Sequence, residues 1–138
     1  MSKAKPEFVA LCNQAEFDRL ITETSMERIV LVDVHQVWCG QTLAIMPFLN
    51  QLWVDLEDAP GKIHLASLAV DDDKQALLKR IQQVCDPDIK VAKQGCRPLF
   101  LIFKQGQCVA TVDGVNSPVI RMYLDLHLPK PKKALEKV

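Results

Sequence analysis

Val30 to Pro47 reads VLVDVHQVWCGQTLAIMP. An apolar, β-branched run passes into Trp38-Cys39-Gly40 and then directly into an apolar spacing that suits a helix. The pattern predicts a thiol where a strand hands over to a helix N-terminus. Free backbone N–H groups and the positive end of the helix dipole would stabilise a thiolate there. Three residues after Cys39, where a dithiol site would carry its second cysteine, stands Thr42.

On either side the chain alternates strand and helix patterns. Glu7 to Cys12 reads as a short first strand, and Asn13 with Glu16 as an N-cap pair for a helix over Gln14 to Glu23, broken at Thr24-Ser25. Arg28 to His35 has the near-continuous apolar character of a strand buried on both faces of a largely parallel sheet. Asp33 interrupts it, and an ionisable group there needs a partner or a proton. The next helix is expected from about Cys39 to Glu57, with Ile45, Leu49, Leu52, Trp53 and Leu56 on one stripe and a kink at Pro47. Trp53 on that stripe reads as core.

Pro60-Gly61 marks a turn, Ile63 to Val70 a third buried strand, and about Lys74 to Val84 a helix opened by Asp71-Asp72-Asp73. That acidic run lacks the spaced ligands of a calcium loop and reads as a helix start. Asp86-Pro87 predicts a short extra helix to about Lys93. Pro98 to Lys104 and Cys108 to Val112 flank Gln105-Gly106, a hairpin signal, and Ser117-Pro118 opens a last amphipathic helix to about Leu126. The order β-α-β-α-β-α-(α)-β-β-α predicts an α/β fold, a mixed central sheet with helices on both faces.

Composition narrows the function classes. The formal net charge of +0 gives no reason to expect nucleic acid or a membrane surface as partner, and no apolar run reaches the roughly 20 residues that span a bilayer. The start, MSKAKPEF, lacks the apolar core of a signal peptide, which argues against secretion. The five cysteines (Cys12, Cys39, Cys85, Cys96, Cys108) are odd in number and irregularly spaced, which argues against a disulfide framework or a zinc site and for a reducing cytoplasmic setting. Cys12 and Cys108 read as small core residues and Cys85 as packing or surface. No metal or cofactor is expected. His35 reads as a polar loop residue near Cys39 or as its base; His64 and His127 carry no pattern.

With these features in register the chain resembles the thioredoxin family from about Glu7 to Leu128. Trp38-Cys39-Gly40 matches the active-site turn, Asp33 the buried aspartate, Pro47 the helix proline, Pro98 the cis-proline before the C-terminal hairpin, and Gly114 the late glycine. The resemblance implies a thioredoxin-like domain over 7–128 followed by a basic tail, 129–138. LVDVHQVWCG and the later GCRPLFLIF, with Cys96 two before Pro98, are also similar to ciliary members. These are the thioredoxin-like light chains of outer-arm axonemal dynein and the thioredoxin–nucleoside-diphosphate-kinase fusions. No kinase domain fits in what remains, so the stand-alone light chain is the closer likeness.

Three departures from the family pattern matter. Thr42 replaces the resolving cysteine and Gln41 the proline before it, Ser67 replaces the lysine that accompanies the buried aspartate, and the stretch between Asp71 and Pro98 is longer than in a minimal thioredoxin. Disulfide reduction needs one thiol to attack and a second to resolve the mixed disulfide. Cys39 is the candidate nucleophile and Cys96 the alternative resolving thiol; Trp38, Gly40, Asp33 and Pro98 support the site. Asp33 is expected as a structural remnant, protonated or hydrogen-bonded to a neighbour such as Thr42. Arg97 would tilt a peptide-binding surface toward acidic partners.

The resemblance therefore implies a non-catalytic or weakly redox-active light chain of an outer dynein arm in the cilium or flagellum axoneme. Its partners would be a dynein heavy chain and other outer-arm subunits, held through the 71–98 segment and the basic tail. The alternatives are a monothiol protein forming mixed disulfides with a protein or glutathione through Cys39, and a dithiol reductase in which Cys96 resolves.

Overall fold

A computed structural model describes residues 5–40, 42–70, 75–89 and 97–128. Among these residues the strands are β1 (Val9–Leu11), β2 (Ile29–Gln36), β3 (Ile63–Val70), β4 (Leu99–Lys104) and β5 (Gln107–Asp113). They form one sheet in the order β1-β3-β2-β4-β5. β1 and β2 run parallel to β3, while β4 runs antiparallel to both β2 and β5. The sheet is thus mixed, as the element order implied. Seven of the eight residues of central β2 are buried, because a strand covered on both faces has no solvent side to make polar.

Alternation along the strands divides the core into two layers. Val30, Val32 and Val34 of β2 meet Phe17, Leu20 and Ile21 of the first helix and Leu77 and Ile81 of α5 (Gln75–Val84). Ile29 and Leu31 point the other way, to Leu49, Leu52 and Trp53 of α3 (Met46–Asp55) and Ile120 and Leu124 of α6 (Ser117–His127). Asp33 and His35 continue this second register and so face the side that α3 covers.

Several expectations need correction. The first helix does not break at Thr24-Ser25. α1 (Gln14–Arg19) runs through a π-turn over Leu20–Thr24 into α2 (Ser25–Glu27). Buried Ser25 sustains it: its hydroxyl donates to the Ile21 carbonyl and accepts from the Gly106 amide at 2.9 Å. The start of α1 is as expected, with the Asn13 side chain accepting from the Glu16 amide at 2.9 Å and Glu16 accepting from the Cys12 amide at 2.8 Å.

Helix α3 begins at Met46, seven residues beyond Cys39, with Pro47 in its first turn. Proline lacks the N–H that a first turn leaves unused, so Pro47 starts this helix and does not kink it. Gly40, at φ 72°, turns the chain before it. Pro60-Gly61 lies in a four-residue helix, α4 (Ala59–Lys62). At Asp86 the carboxylate caps a turn, accepting from the Asp88 amide at 2.9 Å, and no helix forms through Ile89; the rest of that expected helix and Asp71 to Lys74 lie outside the described residues.

No cis peptide bond occurs among the described residues. Arg97–Pro98 is one of their bonds, so the expected cis-proline is trans here, the form an X–Pro bond favours by about 0.5–1 kcal/mol. Pro98 is nonetheless anchored, its carbonyl accepting from the Gly114 amide at 2.8 Å. The hairpin is as expected: Gln105 at φ 51° and Gly106 at φ 79° make the tight left-handed turn between β4 and β5.

Candidate functional site

Trp38-Cys39-Gly40 leaves the end of β2 as a turn, with the Cys39 amide donating to the Gln36 carbonyl at 3.0 Å and the Val37 amide to Val70 at 3.0 Å. Trp38 and Leu43 stand out in solvent, 63% and 74% exposed. Between them Cys39 opens onto a cavity of about 300 Å³ lined also by His35, Thr42, Leu43 and Arg97. Because α3 starts only at Met46, Cys39 does not sit at a helix N-terminus, and the dipole argument for a stabilised thiolate does not apply to it.

Cys39 is disulfide-bonded. Cys12, Cys85 and Cys108 are free thiols. Cys96 lies outside the described residues.

Beneath the turn, fully buried Asp33 accepts from the Thr42 amide at 3.0 Å and from the Thr42 hydroxyl at 3.3 Å. Thr42, which the resemblance aligned with a resolving cysteine, is thus a hydrogen-bond donor to the aspartate. Asp33 registers beside buried Ser67 on β3, the residue the resemblance aligned with a lysine. His35 is a buried strand residue and not part of the loop. Its Nδ1 lies 3.7 Å from Asp33 Oδ1, beyond hydrogen-bond reach, and has no hydrogen-bond partner. The imidazole and the carboxyl stand two residues apart on one strand face, a neighbourhood visible in the sequence only as the spacing D-x-H on an apolar strand.

Arg97 borders a second cavity of about 640 Å³, with Pro98, Asp113, Gly114 and Val115. Its guanidinium pairs with Asp113 at 3.2 Å, which offsets the charge expected to draw acidic partners. Gly114, at φ 81°, holds a left-handed backbone that favours glycine, with Arg97 Nε at an ordinary contact distance of 3.4 Å from where a Cβ would lie. Among the described residues there is no cluster of three metal-ligating side chains.

The strand–turn–helix site on this sheet has a family. The thioredoxin family model matches residues 8–125. The chain belongs to the thioredoxin family. Among solved structures it is similar to Malassezia sympodialis thioredoxin (TM-score 0.60, 22% identity, 92% of this chain and 95% of that one). It is also similar to spinach chloroplast thioredoxin F (TM-score 0.61, 17% identity, 91% and 97%). At these identities the likeness concerns the fold.

Among curated proteins it is 30% identical to the dynein 14 kDa light chain of the flagellar outer arm of Chlamydomonas reinhardtii, over 90% of this chain and 84% of that protein. It is 23% identical to the dynein 16 kDa light chain of the same flagellar arm, over 73% and 58%. A thioredoxin domain-containing protein 3 homolog of Heliocidaris crassispina is 29% identical over 91% of this chain, which spans only 13% of that longer protein. The thioredoxin-family chain is thus similar to flagellar outer-arm dynein light chains along most of its length.

Proposed function

We propose that this chain is a thioredoxin-fold light chain of an outer dynein arm in the axoneme of a cilium or flagellum, bound to a dynein heavy chain. The observation that carries the reading is the likeness to the 14 kDa outer-arm light chain, which extends over most of both proteins. The site supports it: where a dithiol reductase resolves its mixed disulfide, Thr42 binds Asp33 instead. The exposed Trp38 and Leu43 rim, the 71–98 segment and the basic tail after 128 are the attachment surfaces we assign to the heavy chain and neighbouring subunits. High-salt extraction of axonemes under reducing conditions tests this. The chain should sediment with the heavy chains; its recovery in the soluble cytoplasmic fraction free of them would sink the proposal.

A second reading, thiol–disulfide exchange at Cys39, is favoured by one observation: Cys39 is disulfide-bonded. In this reading Cys96, the alternative that the family resemblance offers, is the resolving thiol that pairs with Cys39. Insulin reduction lost on Cys39→Ser and on Cys96→Ser would support this pair. Mixed disulfides that Cys96→Ser leaves unchanged would favour the monothiol alternative, in which Cys39 bonds a partner protein or glutathione.

A further inference from the structure

Cys85 closes α5, its amide bonded to the Ile81 carbonyl at 2.9 Å, while Cys108 lies on the edge strand β5. A β-bulge brings them together. Phe103 opposes Cys108 and Ile102 opposes Ala110, which leaves Val109 as the extra residue. Strict alternation would turn Cys108 to the same face as Ala110, which packs on the α3/α6 layer together with Val109. The bulge reverses that, and Cys108, like Cys85, packs against the α1/α5 layer. Both are free thiols, half-buried, and near enough for each to shift the ionisation of the other, while the Cys108 thiol donates to the Ala110 carbonyl at 3.6 Å.

We propose that Cys85 and Cys108 form a second redox site, a dithiol that closes to an intrachain disulfide by reaction with a small disulfide of the glutathione type. The proposal is independent of the function assigned above. The two thiols are not equivalent. The neighbouring Cys108 thiol, then burial, raise Cys85, whereas the Cys85 thiol holds Cys108 below its ordinary value. Cys108 is therefore the attacking group.

Its thiolate attacks one sulfur of glutathione disulfide, the glutathione S–S bond breaks, and one glutathione leaves as the thiol after taking a proton from water. Cys85 then gives its proton to solvent and attacks the Cys108 sulfur, releasing the second glutathione. Two cysteine thiols are oxidised and one glutathione disulfide is reduced. The new bond would staple α5 to β5 and close a loop that contains, in sequence, both Cys96 and Pro98.

The test is to equilibrate the full chain with glutathione and glutathione disulfide at graded ratios, trap free thiols by alkylation, digest with trypsin and map the linked peptides. The expected result is a disulfide joining peptides 81–90 and 105–121. Cys85→Ser should leave a lasting glutathione adduct on Cys108. Oxidation should raise the unfolding midpoint of the wild type but not of this variant. Should exposed Cys12 take up glutathione while peptides 81–90 and 105–121 stay unlinked, the proposal is overturned. The wild-type map alone decides that, whether or not the variant folds.

Discussion

At the scale of single residues, Thr42 is where this chain departs most from a dithiol enzyme. Its hydroxyl bond to Asp33, at 3.3 Å, is one of two that satisfy a fully buried carboxyl. Thr42→Val keeps the shape and the amide bond but removes the hydroxyl. It should lower stability by about 0.5–1.5 kcal/mol in urea unfolding; no change would mean that the hydroxyl does not hold the aspartate.

His64 supplies a pH dependence. Burial, and then the charge of Arg28, lower its pKa from 6.5. The unfolded chain therefore takes up a proton at higher pH than the folded chain does. Stability attributable to His64 is full above the unfolded value and declines as pH falls from 6.5 toward the lowered folded value. His64→Gln should flatten the part of the slope of unfolding midpoint against pH that lies below 6.5. A slope unchanged by the substitution would contradict this.

At the scale of elements, the start of α3 and the β4–β5 turn make contrasting claims. Pro47 sits in a first turn, so Pro47→Ala should change stability by less than about 1 kcal/mol and leave helix content unaltered. A proline bending a helix interior would give a larger gain in helicity on removal. Gly106, at φ 79°, occupies a region that penalises any Cβ, and Gly106→Ala should cost about 1 kcal/mol in the same denaturation assay.

These elements also show what the sequence makes legible. The β2, β3 and β4 strands are readable because a strand buried on both faces is a dense apolar run. The hairpin is readable because Gln-Gly at its tip fits the turn. The α3 start is not, since Leu43 and Ile45 continue an apolar spacing whether or not the backbone is helical, and a proline near a helix start obeys the same local rules as one at a kink. Asp33 and Thr42 were legible as neighbours through the family register. The meeting of Cys85 and Cys108 was not, because it depends on a one-residue bulge and on the packing of two distant elements.

At the scale of the whole molecule, two apolar layers share one sheet, and the side chains that cross between elements bind it into a unit. Phe103 of β4 is fully buried and stands edge-on to Phe17 of α1, ring centres 5.9 Å apart. Phe103→Ala should cost about 3–5 kcal/mol and lower urea and thermal midpoints together; a loss near 1 kcal/mol would show that this layer is not central to the fold.

The two tryptophans also divide between surface and interior. Trp38 is 63% exposed beside the Cys39 disulfide, whereas Trp53 is 6% exposed inside the α3 layer. The protein therefore carries two separate optical reporters without any label. Acrylamide should quench the long-wavelength emission of Trp38 and leave the blue emission of Trp53, so a partner docking on the site rim would protect the first while only unfolding would unmask the second.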